Sequence, residues 1–339
     1  MKTYRAAIVG CGRVAGGLEQ DPLREHPCTH AGIYKSSPRV ELIACAARTK
    51  ESAAAFAKTW GIPARYDSYA EMLAKEKIEI LSICAPAPLH AEITRAAAKS
   101  GVKAIFCEKA MATSLKEADA MIRACTKYGV FLTVNHLRRW GWDWETVKHL
   151  LEQDEIGDVQ SATCYYSGSL MHTGTHLFDI LGYLLGEVSS VQAGFPNTQD
   201  SPDPDLSGLL QFQNGVQVFV NGRGKKFFQF EMDILGSQGR IRIGNHLLEL
   251  WKSAASKHYT DFVELEKFPF PKPDQRPNPW LAALDDILHS LDHQVSTRST
   301  GMDARKALEI GFALALSAQN QGKPISLPLK NCPLKIESK

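Results

Sequence analysis

The sequence predicts an α/β protein. A doubly wound parallel sheet comes first, and an α+β domain with an open, mostly antiparallel sheet follows. Three observations carry this. Apolar runs without polar alternation recur at 4–9, 40–46, 78–84, 104–107 and 130–134, as buried strands of a parallel sheet do. Helical patterns at 50–60, 69–74, 89–99 and 115–128 separate them, and such alternation places helices on both faces of a parallel sheet. After residue 157 the pattern changes to short strands joined by tight turns, which reads as antiparallel.

The first strand, with Ala6, Ala7, Ile8 and Val9, leads straight into Gly10, Gly12 and Ala15 as G-x-G-x-x-A, with Arg13 and Val14 inside the motif. This spacing is a dinucleotide fingerprint. The first glycine permits the tight turn, and the second lets the backbone approach a pyrophosphate. The third small residue lets the next helix pack on the strand, and that helix offers free N–H groups to the phosphates. Residues 17–30, GLEQDPLREHPCTH, lengthen this connection. A long polar loop beside a phosphate site reads as functional or as a solvated surface, and the sequence leaves both open.

The second strand ends at Ala46, followed by Ala47 and Arg48. An NAD-binding sheet usually has a carboxylate here for the ribose 2′-OH. A guanidinium instead pairs with a 2′-phosphate. The expected cofactor is therefore NADP(H), held by Arg48, with NAD(H) as the alternative. Two further strands end in Ala85, Pro86 and His90, and in Glu108 and Lys109. Ligands bind such sheets outside the carboxyl ends of the strands. Ser68 with Glu71, and Ser114 with Glu117, have capping-box spacing and mark helix starts.

The expected division is a dinucleotide-binding domain over 1–134 and a second domain over 135–339. The latter opens on NHLRRWGWDWETVKHLL, helical from about Trp142. Strands are expected at 158–166, 190–195, 206–212, 216–221, 227–235, 240–243, 247–251 and 262–265, with a two-residue hairpin turn at Asn214-Gly215. Two helices, 280–293 and 303–320, close the chain.

Composition excludes several classes. With 44% hydrophobic and 22% charged residues the chain builds a sizeable core. A net charge of +2 without a basic block argues against nucleic acid or an anionic membrane surface as partner. No apolar run is long enough to span a bilayer, and MKTYRAAIVG lacks a signal-peptide pattern, so a cytoplasmic protein is expected. Eight cysteines are scattered with no C-x-x-C, so neither a disulfide framework nor a metal site is expected.

Together these residues resemble the glucose–fructose oxidoreductase / inositol dehydrogenase / MocA family over nearly the whole chain. The likeness rests on the fingerprint at Gly10–Ala15, on P-x-x-x-H at Pro86–His90, and on Glu108-Lys109 of the family's E-K-P motif. It also rests on G-x-H-x-x-D at Gly174, His176 and Asp179, and on ARKALEIGFALALSAQNQGKPISLP near the end. The resemblance implies a Rossmann domain and a second α+β domain whose sheet forms homodimers or homotetramers. It implies hydride transfer between the nicotinamide and a sugar, cyclitol or sugar derivative. His176 is then the acid/base and Lys109 orients the substrate oxygen, or the reverse. A lysine beside the cofactor's positive ring has its pKa lowered toward neutrality. Asp179, Asn135, Arg138 and Tyr166 are expected at the substrate, the last because Tyr165 and Tyr166 alternate on a strand. Two departures stand out. Ala110 replaces the proline of E-K-P, and His172 replaces the Asp of D-x-x-x-H-x-x-D. His172 joins the catalytic set, and with no carboxylate beside it His176 is expected to be less basic. His172, His176 and Asp179 have i, i+4, i+7 spacing, which could hold zinc, but hydride transfer needs no metal. Two other readings stay open: an NAD-dependent glycosidase that works by transient oxidation, and a non-catalytic regulator that senses dinucleotide.

Overall fold

The computed structural model describes residues 2–194, 201–222 and 227–336. In chain order the elements begin with β1 (Tyr4–Val9), α1 (His30–Ser36), β2 (Val40–Ala46), α2 (Lys50–Trp60), β3 (Ala64–Tyr66), α3 (Tyr69–Lys75), β4 (Ile80–Ile83), α4 (His90–Lys99), β5 (Ala104–Cys107), α5 (Leu115–Tyr128) and β6 (Phe131–Val134). They continue with α6 (Trp142–Glu152), β7 (Val159–Tyr166), α7 (Thr175–Leu185), β8 (Val188–Ala193), β9 (Gly208–Phe212), β10 (Gln217–Asn221), β11 (Phe230–Gly236), β12 (Gly239–Gly244), β13 (Leu247–Ala255) and β14 (Val263–Phe268). The last are α8 (Pro279–His293), α9 (Gly301–Gln319) and β15 (Ile325–Ser326).

Two compact units result: Met1–Trp140 with Pro277–Arg305, and Gly141–Arg276 with Lys306–Lys339. These units do not coincide with the expected 1–134 and 135–339. The segment carrying α8 returns to the first unit, where Leu284, Ile287, Leu288 and Leu291 are buried in its core. Asp292 of α8 accepts hydrogen bonds from Tyr4 and Arg39, each at 2.7 Å. An amphipathic helix covers whichever apolar face is left open, and each large apolar side chain so buried contributes about 1.5–3 kcal/mol.

Among the described residues, six strands of the first unit form a parallel sheet in the order β3-β2-β1-β4-β5-β6. Val9 lies between Ala46 of β2 and Ile83 of β4. The order reverses between β1 and β4, so the ligand crevice of this architecture lies at their carboxyl ends. The expected caps form, with Ser68 accepting from Glu71 N at 3.4 Å and Ser114 from Glu117 N at 3.3 Å.

One local expectation fails. The fingerprint does not open directly onto an α-helix. Its turn closes through Gly16 N to Gly12 O at 3.3 Å and Leu18 N to Arg13 O at 2.8 Å, and a single 3₁₀ turn, Gly17–Gln20, follows. The α-helix starts only at His30, capped by Thr29. Two of its first N–H groups are spent on the turn: His30 N on Val14 O at 3.3 Å, and Ala31 N on Ala15 O at 2.8 Å. The inserted loop has displaced the helix along the chain while leaving it docked on the same turn.

In the second unit nine strands, among the described residues, follow the order β14-β13-β12-β11-β7-β10-β9-β8-β15. Only the β7–β10 pair is parallel there. The expected strand at 190–195 ends at Phe195, outside the described residues, and β8 covers Val188–Ala193. The strand expected from residue 227 begins at Phe230. The ring of Phe178 on α7 packs edge-on against Tyr166 of β7 on one sheet face. Tyr165, Phe219 and Leu235 are exposed on the other.

Candidate functional site

The fingerprint turn sets the chemistry of the first unit. Gly10 has φ +91°, and a Cβ there would lie 2.5 Å from Ala85 N. The turn thus crosses directly over the end of β4, which only glycine allows. At Gly12 an added Cβ would meet nothing within 4 Å. That is the open backbone a pyrophosphate needs, so the residues present fit a dinucleotide. Ala15 is fully buried. Gly10→Ala should destabilise the protein by at least about 1–2 kcal/mol and weaken dinucleotide binding, read together by thermal melts with and without NADPH. A variant with wild-type melting and wild-type binding would contradict this role for the turn.

The other carboxyl ends converge on the same edge. Ala47, half-buried, and Arg48, exposed, follow β2, and Thr49 caps α2. His90 is buried, with Nδ1 3.0 Å from Ala110 O and Nε2 2.7 Å from Ala85 O. One ring nitrogen donates to its carbonyl and the other lies against the second, so His90 sits between the loop after β4 and the loop after β5. Burial lowers its pKa despite those acceptors. Pro86 starts the single 3₁₀ turn that leads into α4. Lys109 follows Glu108 at the end of β5, and the Lys109–Ala110 peptide bond is cis.

Glu108 anchors a buried polar chain. His30 Nε2 donates to its Oε1 at 3.0 Å, and Asn135 Nδ2 donates to the same oxygen at 2.6 Å. On its far side His30 Nδ1 is 2.7 Å from Ser82 Oγ, which is 2.7 Å from Tyr34 OH. Burial by itself would raise the Glu108 carboxyl. The His30 hydrogen bond and charge, then the Asn135 amide and the Lys109 charge, overturn this and hold it below the usual carboxylate range. Burial raises Tyr34 far above the ordinary tyrosine value. The sequence reading included Glu108 and Asn135 but missed His30, Ser82 and Tyr34. A lone Ser inside the apolar strand ILSI was the available signal. Asn135 Oδ1 is buried without a protein partner, an acceptor that a ligand N–H or O–H would satisfy. Arg138 sits in the 3₁₀ turn Leu137–Trp140, whose other arginine, Arg139, is buried and donates to Arg298 O at 2.7 Å.

In the second unit a π turn, Leu170–Gly174, runs directly into α7, so Gly174 does not interrupt the helical path. It brings exposed His172, half-buried His176 and buried Asp179 onto successive turns. His176 and Asp179 share a face by their i, i+3 spacing. Single π turns within helical paths occur frequently at functional sites. Asp203 holds this turn in place, accepting from Met171 N at 2.9 Å and from the Ser169 hydroxyl. Burial, with the Asp205 charge, raises the Asp203 carboxyl even against those donors. A cavity of about 530 Å³ is lined by His172, Ser167, Ser169, Asp203, Asp205 and Phe227, among others. Asp203 and Asp205 were missed in the sequence. Tyr166, expected at the substrate, has its side chain turned into the interior. It is fully buried and donates to Leu206 O at 2.8 Å, so it is Tyr165 that lies on the exposed strand face.

Comparison with known proteins agrees with this geometry. Residues 4–136 match the family described as "Oxidoreductase family, NAD-binding Rossmann fold", and residues 165–242 match the "GFO/IDH/MocA C-terminal domain". A D-apiose dehydrogenase from Paraburkholderia graminis is 25% identical over 96% of this chain and 90% of its own. D-xylose 1-dehydrogenase (NADP(+)) 2 of Haloferax volcanii is 30% identical over 53% of this chain and 61% of its own. The structure of a levoglucosan dehydrogenase complexed with NADH and levoglucosan has a TM-score of 0.80. It is 20% identical and covers 96% of this chain and 100% of that one, a likeness of fold. Among the described residues, no helix is long and apolar enough to cross a membrane. The chain belongs to the GFO/IDH/MocA family of oxidoreductases, with an NAD-binding Rossmann unit and a mixed, mostly antiparallel second sheet.

Proposed function

We propose that this protein is an NADP(H)-dependent dehydrogenase or reductase acting on a secondary alcohol or ketone of a sugar, cyclitol or sugar derivative. The observation that carries the reading is the Gly10–Gly12 turn, crossing Ala85 at the β1/β4 switch point with open space over Gly12. When bound, the nicotinamide supplies the hydride acceptor. Gly10, Gly12, Arg13 and Val14 cradle its phosphates, and Ala85, Pro86, Glu108 and Lys109 border it. His172, Asp179, Asn135 and Arg138 bind the substrate. Lys109 polarises the substrate oxygen and His176 takes its proton. Buried carboxylates beside an aromatic ring, Asp203 and Asp205 with Phe227, suit the alternating hydroxyls and C–H faces of a sugar. The open face with Tyr165, Phe219 and Leu235 supports pairing of two copies through the second sheet. The test is NADP⁺ reduction followed spectrophotometrically over a panel of sugars and cyclitols. Dinucleotide binding without turnover of any member would count against the reading.

The cofactor preference rests on Arg48, exposed at the end of β2 with no carboxylate in Ala46-Ala47-Arg48. A charge-assisted pair with a 2′-phosphate is worth about 1.5–3 kcal/mol. Arg48→Ala should therefore weaken NADPH binding about 10- to 100-fold and leave NADH binding unchanged. Fluorescence titration decides: equal losses for both cofactors, or tighter NADH binding by the wild type, would remove Arg48 from the site.

A further inference from the structure

The loop that displaces α1 carries three ligand atoms in close array. His26 Nδ1 lies 3.2 Å from Glu19 Oε1 and 3.7 Å from Cys28 Sγ. The three residues offer one carboxylate oxygen, one imidazole nitrogen and one thiol sulfur, all within 4.8 Å of one another. A tetrahedral zinc ion with Zn–S of about 2.3 Å and Zn–N and Zn–O of about 2.0–2.1 Å needs N···S edges of about 3.6 Å and N···O edges of about 3.4 Å. The two measured edges lie within a few tenths of an ångström of these. We propose that Glu19, His26 and Cys28 form a site for a zinc-like divalent cation that clasps this loop, with water at the fourth corner on the exposed side of His26.

The surroundings are those of a ligating carboxylate. Glu19 Oε2 accepts from Thr29 Oγ1 at 2.6 Å and from Cys28 N at 3.1 Å. It is thereby fixed, while Oε1 faces His26. Metal-bound carboxylates are themselves hydrogen-bonded in this way. α1 makes room for the group, since a Cβ at Gly32 would lie 2.5 Å from Glu19 Oε2. Thr29, which holds Glu19, also caps α1 by accepting from Gly32 N at 3.1 Å. The clasp is therefore joined to the helix docked on the fingerprint turn.

The loop's tip is solvated and held by local bonds to Asp21, which accepts from Leu23 N at 3.1 Å and Arg24 Nε at 3.3 Å. Leu23 is 94% exposed, and a half-exposed pair such as His26–Glu19 adds little stability by itself. Binding removes the Cys28 proton, which otherwise sits on a thiol aimed at Leu18 O at 3.3 Å. The spacing E-x₆-H-x-C matches none of the paired-cysteine patterns, which is why the sequence reading expected no metal.

The test uses the whole protein, stripped with a chelator and titrated with Zn²⁺ and separately with Co²⁺. One equivalent of Co²⁺ should give a tetrahedral visible spectrum with a thiolate-to-cobalt charge-transfer band. Zn²⁺ should bleach the band and raise the melting temperature. Cys28→Ser should abolish the band. His26→Ala, at a half-exposed position where folding is not at risk, should weaken Co²⁺ binding at least about tenfold, since even outer partners cost that much. Absence of a charge-transfer band in the wild type overturns the proposal. So does an undiminished band in Cys28→Ser, which would place the metal on another cysteine.

Discussion

Lys109→Met is expected to lower kcat by about 10²–10⁴ on any sugar or cyclitol that the wild type oxidises, the range lost when a positioned acid or base is removed. Methionine keeps an unbranched stem of similar length and removes the ammonium. In the proposed reading the turn at Gly10–Gly12 cradles the dinucleotide, so NADPH should still bind the variant with an affinity near that of the wild type. Lys109 stands at the carboxyl end of β5, next to Glu108, whose carboxyl its charge helps to hold below the usual range. The pairing is reciprocal: an ionised carboxylate one residue away favours the protonated lysine, which is the form that polarises a substrate oxygen. A fall in kcat with NADPH affinity intact assigns Lys109 to the reaction. A loss confined to NADPH affinity makes it a cofactor ligand and leaves the proton work to His176. A variant that turns over like the wild type removes Lys109 from the mechanism.

The parts of this molecule that could be read from the chain are those set by local pattern. The helices at Lys50–Trp60 and Leu115–Tyr128 span the residues their periodicity predicts, and the second starts at its capping box. The residues at the carboxyl ends of the strands, from Gly10 to Lys109, gather at one edge because parallel strands all point the same way. What escaped depended on partners distant in sequence. Nothing near Pro279–His293 says that this helix covers the first sheet, since its buried leucines would suit any apolar face. Nothing near His30 reveals Ser82 and Glu108, which lie 52 and 78 residues away. Tyr165 and Tyr166 were a matter of strand parity. Alternation says that one faces in, but the face is chosen by the rest of the sheet, and it buried Tyr166. The inserted loop was visible as a length, while its consequence for α1 was not.

The buried chain around Glu108 carries the second large effect. His30→Leu should destabilise the protein by about 1–3 kcal/mol at neutral pH, as leaving a buried hydrogen-bonding group without its partner does. The apolar side chain fills much of the space against Phe106 and Trp280, whose rings lie 4.6 and 5.3 Å from that of His30, so lost volume is a minor part. The larger part is that Glu108, buried, loses a donor, and Ser82 and Tyr34 lose the group that completes their bonds. The dependence on pH separates this from a packing defect. In the wild type the folded Glu108 has a depressed pKa, so its contribution is fully present above the unfolded carboxylate value of about 4.3 and is lost as pH falls through the lower folded value. In His30→Leu burial dominates instead and the folded pKa rises. A buried carboxylate of that kind favours folding only while protonated, so its contribution falls as pH rises. The difference between wild type and variant, from urea unfolding at about pH 4 and pH 7, should therefore be much larger at pH 7. An equal loss at both would mean that His30 serves only to fill space, and that Glu108 owes its ionisation to Asn135 and Lys109.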